Sequence, residues 1–243
     1  MRSQVGNRRG LSVALLLVSL VLAVSPSQAG TYKETFSGPL NPNIWEVFTS
    51  GHGETVEVIN GKLVIKIPAV PGDQSYYAGI RSKFDHGCPF EAQVDYDLVT
   101  WPAWDNKASA GIYAETMYAV RTQVDDYYNG PHWFERAYAY FHGNVYQVNL
   151  APEGQQGGMT GSLRLIYNSD LGADGKYNIG AGWQSIGGYS PNHDGGPFIL
   201  QVSEWGSRNT PGKAVEVHFD NFIITSANVH RDISPIEALL LFD

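Results

Sequence analysis

The sequence predicts an all-β protein, a jelly-roll sandwich of two antiparallel sheets. Three observations carry this expectation. Helical periodicity is nearly absent, alternation with period two recurs along the chain, and the segments between are rich in Gly, Pro and Asn. The clearest alternation is FEAQVDYDLVT, residues 90–100. There Phe90, Ala92, Val94, Tyr96 and Leu98 alternate with Glu91, Gln93, Asp95 and Asp97. Such a pattern predicts a strand with one buried apolar face and one polar face.

The first element is not part of that fold. Arg2, Arg8 and Arg9 precede an apolar run from Leu11 to Val24, followed by SPSQAG. This pattern predicts a secretory signal at 1–29, cut after Ala29, and too short to span a bilayer comfortably. The mature chain, 214 residues from Gly30 to Asp243, suits one all-β domain. The sandwich is placed at 30–228.

TVEVINGKLVIKI, residues 55–67, divides into two strands at Asn60-Gly61, whose residues tolerate the positive φ of a tight hairpin turn. Further strands are predicted at 76–84, 90–100, 108–120, 134–141, 145–150, 162–167, 197–205 and 214–225, about ten in all, which fits a two-sheet jelly roll. Glu153 to Gly161 is expected to form one loop. In AVEVHFDNFIIT, Val215, Val217 and Phe219 share a face, while Phe222 and Ile224 fall out of phase. A bulge at Asp220-Asn221 would return them to the core. The tail, 229–243, contains SPIEALLLFD, with Ser234 as N-cap, Pro235 at the first helical position and Glu237 completing a capping box. A short helix is expected there.

Charge and cysteine content narrow the function. The full chain has a net charge of −8, and removing the three signal arginines takes it to −11. Nucleic acid and anionic membrane surfaces are poor partners for such a chain. No segment of the mature chain has the composition of a membrane span. With Cys88 as the lone cysteine, no intramolecular disulfide can form, and a small buried filler is its expected role. The seven His are scattered without zinc-ligand spacing.

Large rings cluster in two predicted loops. VTWPAWDNK carries Trp101 and Trp104, and DDYYNGPHWFER carries Tyr127, Tyr128, His132 and Trp133. Rings on loops can offer flat faces to sugar C–H groups, while the alternative is that the tryptophans plug the ends of the sandwich. With Gln93 on the acidic strand, the candidate ligand contacts are Gln93, Trp101, Trp104, Tyr128, His132 and Trp133.

Taken in order, ETFSGPLNPNIWEVF, NGKLVIKIP, FEAQVDYDLVTWP, GSLRLIY, GWQSIG and VHFDNFIIT resemble the secreted concanavalin A-like lectin/glucanase domains. The resemblance covers nearly the whole mature chain. It implies a jelly roll with polysaccharide or another glycan as the ligand class, and it does not imply catalysis. Hydrolases of this fold carry two Glu on one strand face in an E-x-D-x-E pattern. Here the stretch is Glu91, Gln93, Asp95. The middle acid is an amide that cannot ionise, and the second Glu is shortened by a methylene. A retaining pair must stand about 5–5.5 Å apart with well-separated pKa values. Glu91 and Asp95 are therefore the candidate catalytic pair of an enzyme alternative, and the leading expectation is a non-catalytic carbohydrate-binding domain.

YFHGNVYQ, residues 140–147, superficially resembles the tyrosine-bearing strand of alginate lyases. His142 falls in the turn of a hairpin, however, and the other lyase motifs are missing. A structural or adhesive domain is the remaining alternative. Related jelly rolls often hold a structural calcium between first-strand and last-strand acids, and Glu34 and Asp220 are the matching positions. Two carboxylates fall short of the 6–8 oxygens calcium takes, so capping of the bulge by Asp220 is the favoured role. No cofactor is required by this reading, and a monomer is expected.

Overall fold

The computed structural model describes residues 30–71, 74–101, 107–114, 118–126, 133–168, 171–188, 196–205 and 213–226. The signal region and the C-terminal helix expected at the tail lie outside them. The described residues form fifteen strands in two antiparallel sheets.

Sheet A contains β1 (Gly30–Glu34), β3 (Thr55–Ile59), β4 (Lys62–Ile67), β6 (Phe90–Thr100), β11 (Thr160–Asn168), β12 (Gly172–Asn178), β13 (Gln184–Gly188) and β15 (Val215–Ser226). Its order is β13-β12-β11-β6-β15-β4-β3, and β1 also pairs with β15. Sheet B contains β2 (Trp45–Thr49), β5 (Ser75–His86), β7 (Lys107–Ala114), β8 (Tyr118–Asp126), β9 (Trp133–Phe141), β10 (Asn144–Asn149) and β14 (Gly196–Trp205), in the order β10-β9-β8-β7-β14-β5-β2.

The core lies between the sheets, where alternating residues of each strand meet. Aromatic pairs join the layers. Phe90 of β6 meets Phe198 of β14 edge-on with ring centroids 5.3 Å apart. Trp45 of β2 meets Phe222 of β15 at 5.7 Å, and Tyr118 of β8 meets Tyr167 of β11 at 6.0 Å. On β6 the predicted alternation holds: Phe90, Ala92, Val94, Tyr96 and Leu98 are buried, and Glu91, Gln93, Asp95 and Asp97 point outward, partly exposed.

Local chemistry sets the turns. Asn60 and Gly61 both adopt positive φ (52° and 77°), as a tight hairpin between β3 and β4 requires. His142 and Gly143 do the same between β9 and β10 (47° and 88°), so His142 is a turn residue, packed edge-on against Tyr118. On β15 the register with β6 shifts between Asp220 and Ile223, with Asn221 at φ 50°. The Asp220 carboxylate accepts the Asn221 backbone N–H at 2.6 Å, and Phe222 and Ile224 return to the core. The expected bulge and its cap are both present.

One expected strand is two. The sequence predicts a single run over 108–120, because Ala, Ile, Tyr, Met and Val continue through it. The chain instead forms β7 and β8, antiparallel neighbours registered Ala114 to Tyr118. Four further strands, β1, β2, β12 and β13, escaped the alternation test. The inward residues of β12 are Ala173, Gly175 and Tyr177, and the first two are too small to make an apolar alternation. Gly175 is small for a reason: a Cβ there would lie 2.6 Å from Ala139 Cβ and 2.9 Å from Val120 Cγ2 of the facing sheet.

Candidate functional site

The two outer faces differ in chemistry. On sheet A, acids and bases interleave and pair. Arg164 of β11 lies across β6: its Nε is 3.3 Å from Glu91 Oε1, and its Nη2 donates to Gln93 Oε1 at 2.7 Å. The same guanidinium stacks on the Trp183 ring at 4.1 Å from its centroid. Asp95 accepts from Ser162 Oγ at 2.6 Å and from Asn221 Nδ2 at 3.0 Å. Asp97 pairs with Lys62, Asp174 with Lys176, and Glu216 with both Lys66 and His218. The His218 bond, aided by Lys66, holds the Glu216 carboxyl below its usual range.

Glu91 and Asp95 therefore share a face, as expected from their spacing, but each is held by neighbours of its own. Gln93 and Arg164 stand between them. The hollow beside Asp95 is shallow and lined by Lys62, Asp97, Ser162 and Asn178. This arrangement resembles a solvated strand face knit by ion pairs more than an acid and a nucleophile facing one another across a cleft.

Sheet B presents a different outer surface. Its centre interleaves short residues, Ala119, Gly111, Ser109 and Ser203, with Tyr, Arg and Gln in cross-strand register. Ala119 of β8 lies between Tyr140 of β9 and Tyr113 of β7. In the next row, Arg121 lies between Tyr138 and Gly111, and Gln201 of β14 follows. In the third, Gln123 lies between Arg136 and Ser109, with Ser203 beyond. Ser109, Gln123 and Ser203 are buried although they point away from the core. Tyr113 and Tyr140 are half-buried, and their Cα atoms stand two strand spacings apart, about 10 Å.

Arginines dress this face. Arg121 lies over the Tyr138 ring at 5.5 Å, Arg136 over Phe134 at 4.6 Å, and Arg81 over Phe48 at 5.5 Å. Arg136 also donates to Asn149 Oδ1 at 3.0 Å and Gln147 Oε1 at 3.2 Å on β10. None of these residues was a sequence candidate. The signal was present in YAVRTQVDD, where Ala119, Arg121 and Gln123 alternate with core positions, but reading one strand at 108–120 left residues 121–126 outside any strand.

The loop aromatics are divided. Trp101 and Trp133 belong to the core, each 7% exposed. This burial corrects the expectation of ligand platforms: both rings plug the sandwich, because an indole buries more surface than any other side chain. Trp104, Tyr128 and His132 lie outside the described residues. The calcium positions do not fit a cation. Glu34 accepts Tyr32 Oη–H at 2.5 Å, Trp45 Nε1–H at 3.0 Å and the Phe36 N–H at 2.9 Å. Its oxygens are thus turned toward donor hydrogens, and Asp220 is engaged by its bulge. Among the described residues, no three His, Cys, Asp or Glu gather as metal ligands.

One buried acid was also missed. Glu135 of β9 is fully buried between the sheets. Its Oε2 accepts the Gly157 N–H at 2.7 Å, which ties the crossover from β10 to β11 onto sheet B. Burial pushes its carboxyl upward, opposed by the Gly157 and Gly158 N–H groups. Tyr96 is driven well above its ordinary range by burial and then by Glu135.

The two-sheet jelly roll is shared with solved structures of glucanases and related proteins. A Mycobacterium marinum β-1,3-glucanase superposes with a TM-score of 0.52 at 13% identity, covering 79% of this chain and 97% of that one. A Mycobacterium tuberculosis protein described as an immunostimulatory antigen and pseudo β-1,3-glucanase gives 0.52 at 13% identity, covering 80% and 98%. The Bacillus licheniformis β-glucanase gives 0.50 at 12% identity, covering 81% and 98%. No family model matches the chain, and no curated protein matches its sequence. No helix among the described residues is long and apolar enough to cross a membrane.

Proposed function

We propose that the mature chain is a secreted, monomeric carbohydrate-binding domain without catalysis, and that glycan docks on the outer face of sheet B. The observation that carries this reading is the row Tyr140–Ala119–Tyr113. Two half-buried tyrosines flank the Ala119 methyl group in one cross-strand row. Below them, Arg121, Gln123, Gln201, Ser109 and Ser203 supply polar groups from a rigid sheet. A few fixed polar groups among aromatic walls is the usual make-up of a small-ligand site. Trp104, Tyr128 and His132 are further contacts in this proposal, contributed by loops. The fold neighbours include proteins described as a glucanase and as a pseudo glucanase, which supports glycan as the ligand class with or without turnover.

The enzyme alternative, using Glu91 and Asp95 with Gln93 between them, draws less support. Arg164 holds both Glu91 and Gln93, and Asp95 is hydrogen-bonded to Ser162 and Asn221. The test is a glycan array with the wild-type mature chain, followed by Tyr113→Ala and Tyr140→Ala. Weakened binding with nearly unchanged melting temperature is expected for both. An empty array, or binding indifferent to both truncations, overturns the assignment and favours a structural or adhesive role.

A further inference from the structure

The outer faces of the two sheets handle charge in opposite ways. On sheet A, Lys62, Lys66, Arg164 and Lys176 each sit within ion-pair distance of an acid. On the central strands of sheet B, β7, β8, β9 and β14, the charged side chains described on the outer face are Lys107, Arg121 and Arg136, all cationic. The described carboxylates of those strands, Glu135 and Glu204, are buried on the opposite side.

Arg121 is the informative member. It is half-buried in the middle of the sheet, beside Gly111, which has no side chain to cover it. Among the described residues its buried Nε has no hydrogen-bond partner. Among the described residues its guanidinium has no carboxylate partner, and its contact is the face of Tyr138. Leaving a buried charged donor unpaired is costly, and such groups in a folded protein call for an explanation. The Tyr138 ring lies beside the guanidinium, 5.5 Å from its Cζ to the ring centroid, and the backbone of Gly111 adjoins it on the other strand. A planar guanidinium fork matches a carboxylate or sulfate, which it can bind bidentately. The acidic balance of the whole chain disfavours extended polyanions, but it acts weakly on a single anion at this face, because charges more than about 8 Å away are largely screened at physiological salt.

We propose that this face selects acidic glycans, with the Arg121 guanidinium pairing a carboxylate or sulfate ester of the bound sugar. The inference rests on the docking face assigned above and adds the chemical class of its ligand. The site reads the anion by a charged hydrogen-bonded pair and the adjoining sugar rings by Tyr113 and Tyr140.

The test uses the mature chain on an array that displays neutral, uronate-bearing and sulfated oligosaccharides. Acidic members should be retained over neutral ones of the same length. Uronate or sulfate preference identifies the source of the anion, and either supports the proposal. For the best acidic ligand, titration calorimetry should show affinity falling as salt rises, and carboxyl reduction or desulfation should abolish binding. Arg121→Gln should weaken binding by about tenfold or more, whereas Lys176→Gln on sheet A should not. The salt and ligand-modification arms need no variant, so they stand if Arg121→Gln folds poorly. Preference for neutral glycans, or full affinity in a folded Arg121→Gln protein, overturns the inference while the carbohydrate-binding reading survives. An array with no binding removes both.

Discussion

Replacing Glu135 separates two roles that one side chain combines. Its carboxyl accepts the Gly157 N–H and draws on that of Gly158, yet it is fully buried and its pKa is raised. Glu135→Ala strands the Gly157 donor. A donor left unpaired costs about 1–3 kcal/mol, so the variant should lose about that much. Glu135→Gln keeps an acceptor oxygen and cannot ionise, so near pH 4 it should lie within about 1 kcal/mol of wild type. The pH dependence has a definite sign. In the unfolded chain this Glu titrates near pH 4.3, and in the folded chain it titrates higher. Folding then takes up a proton between the two values. The stability tied to the protonated form is fully present below the unfolded pKa and is lost as pH rises through the folded one. Wild type should thus weaken relative to Glu135→Gln as pH climbs from 4 to 8, by about 1.4 kcal/mol per unit of pKa rise. Urea denaturation of the three proteins at pH 4, 6 and 8 measures this. A wild-type minus Gln difference that does not change with pH would refute the raised pKa. A Gln variant as weak as the Ala variant at pH 4 would refute the acceptor role.

Further outcomes follow from the packing and the sheet A surface. Trp133→Ala should cost about 3–5 kcal/mol, the range for buried large aromatics, and a thermal melt that moved little would return this ring to the surface. Gly175→Ala should destabilise by about 1–3 kcal/mol through overpacking against Ala139 and Val120, read by denaturant midpoint. Purified protein should release no reducing sugar from β-glucans, galactans or xylans above background. Turnover that disappears in both Glu91→Gln and Asp95→Asn would establish the enzyme alternative.

What could be read from the residues depended on how loudly each strand alternates. FEAQVDYDLVT sets large apolar groups against charges at every step, so its burial followed directly. VHFDNFIIT betrayed its bulge because the apolar phase slips at Asp220. GADGKYN was silent, since its inward positions hold Ala and Gly wherever the facing sheet approaches closely. The boundary between β7 and β8 was hidden by apolar residues running through it. That hid the docking face too, since Arg121 and Gln123 acquire a direction only once β8 is recognised. The fate of Trp101 and Trp133 was also not legible: an indole near a loop can close a core or greet a ligand, and only the third dimension separates the two.

The position of β15 has a consequence for how the protein is made. The last described strand of the chain lies inside sheet A, with β6 on one flank and β4 and β1 end to end on the other. Gly30 faces Ser226 and Glu34 faces Phe222. During synthesis, β1 waits unpaired until β15 has emerged, and β4 and β6 cannot be bridged before then. Long-range closure of this kind slows folding and leaves bare strand edges in the interval, a state open to aggregation. The same geometry brings the two ends of the described fold side by side. A circular permutant that joins them through a short linker and opens at the β3–β4 turn would form this seam locally, and should fold faster into the same sandwich.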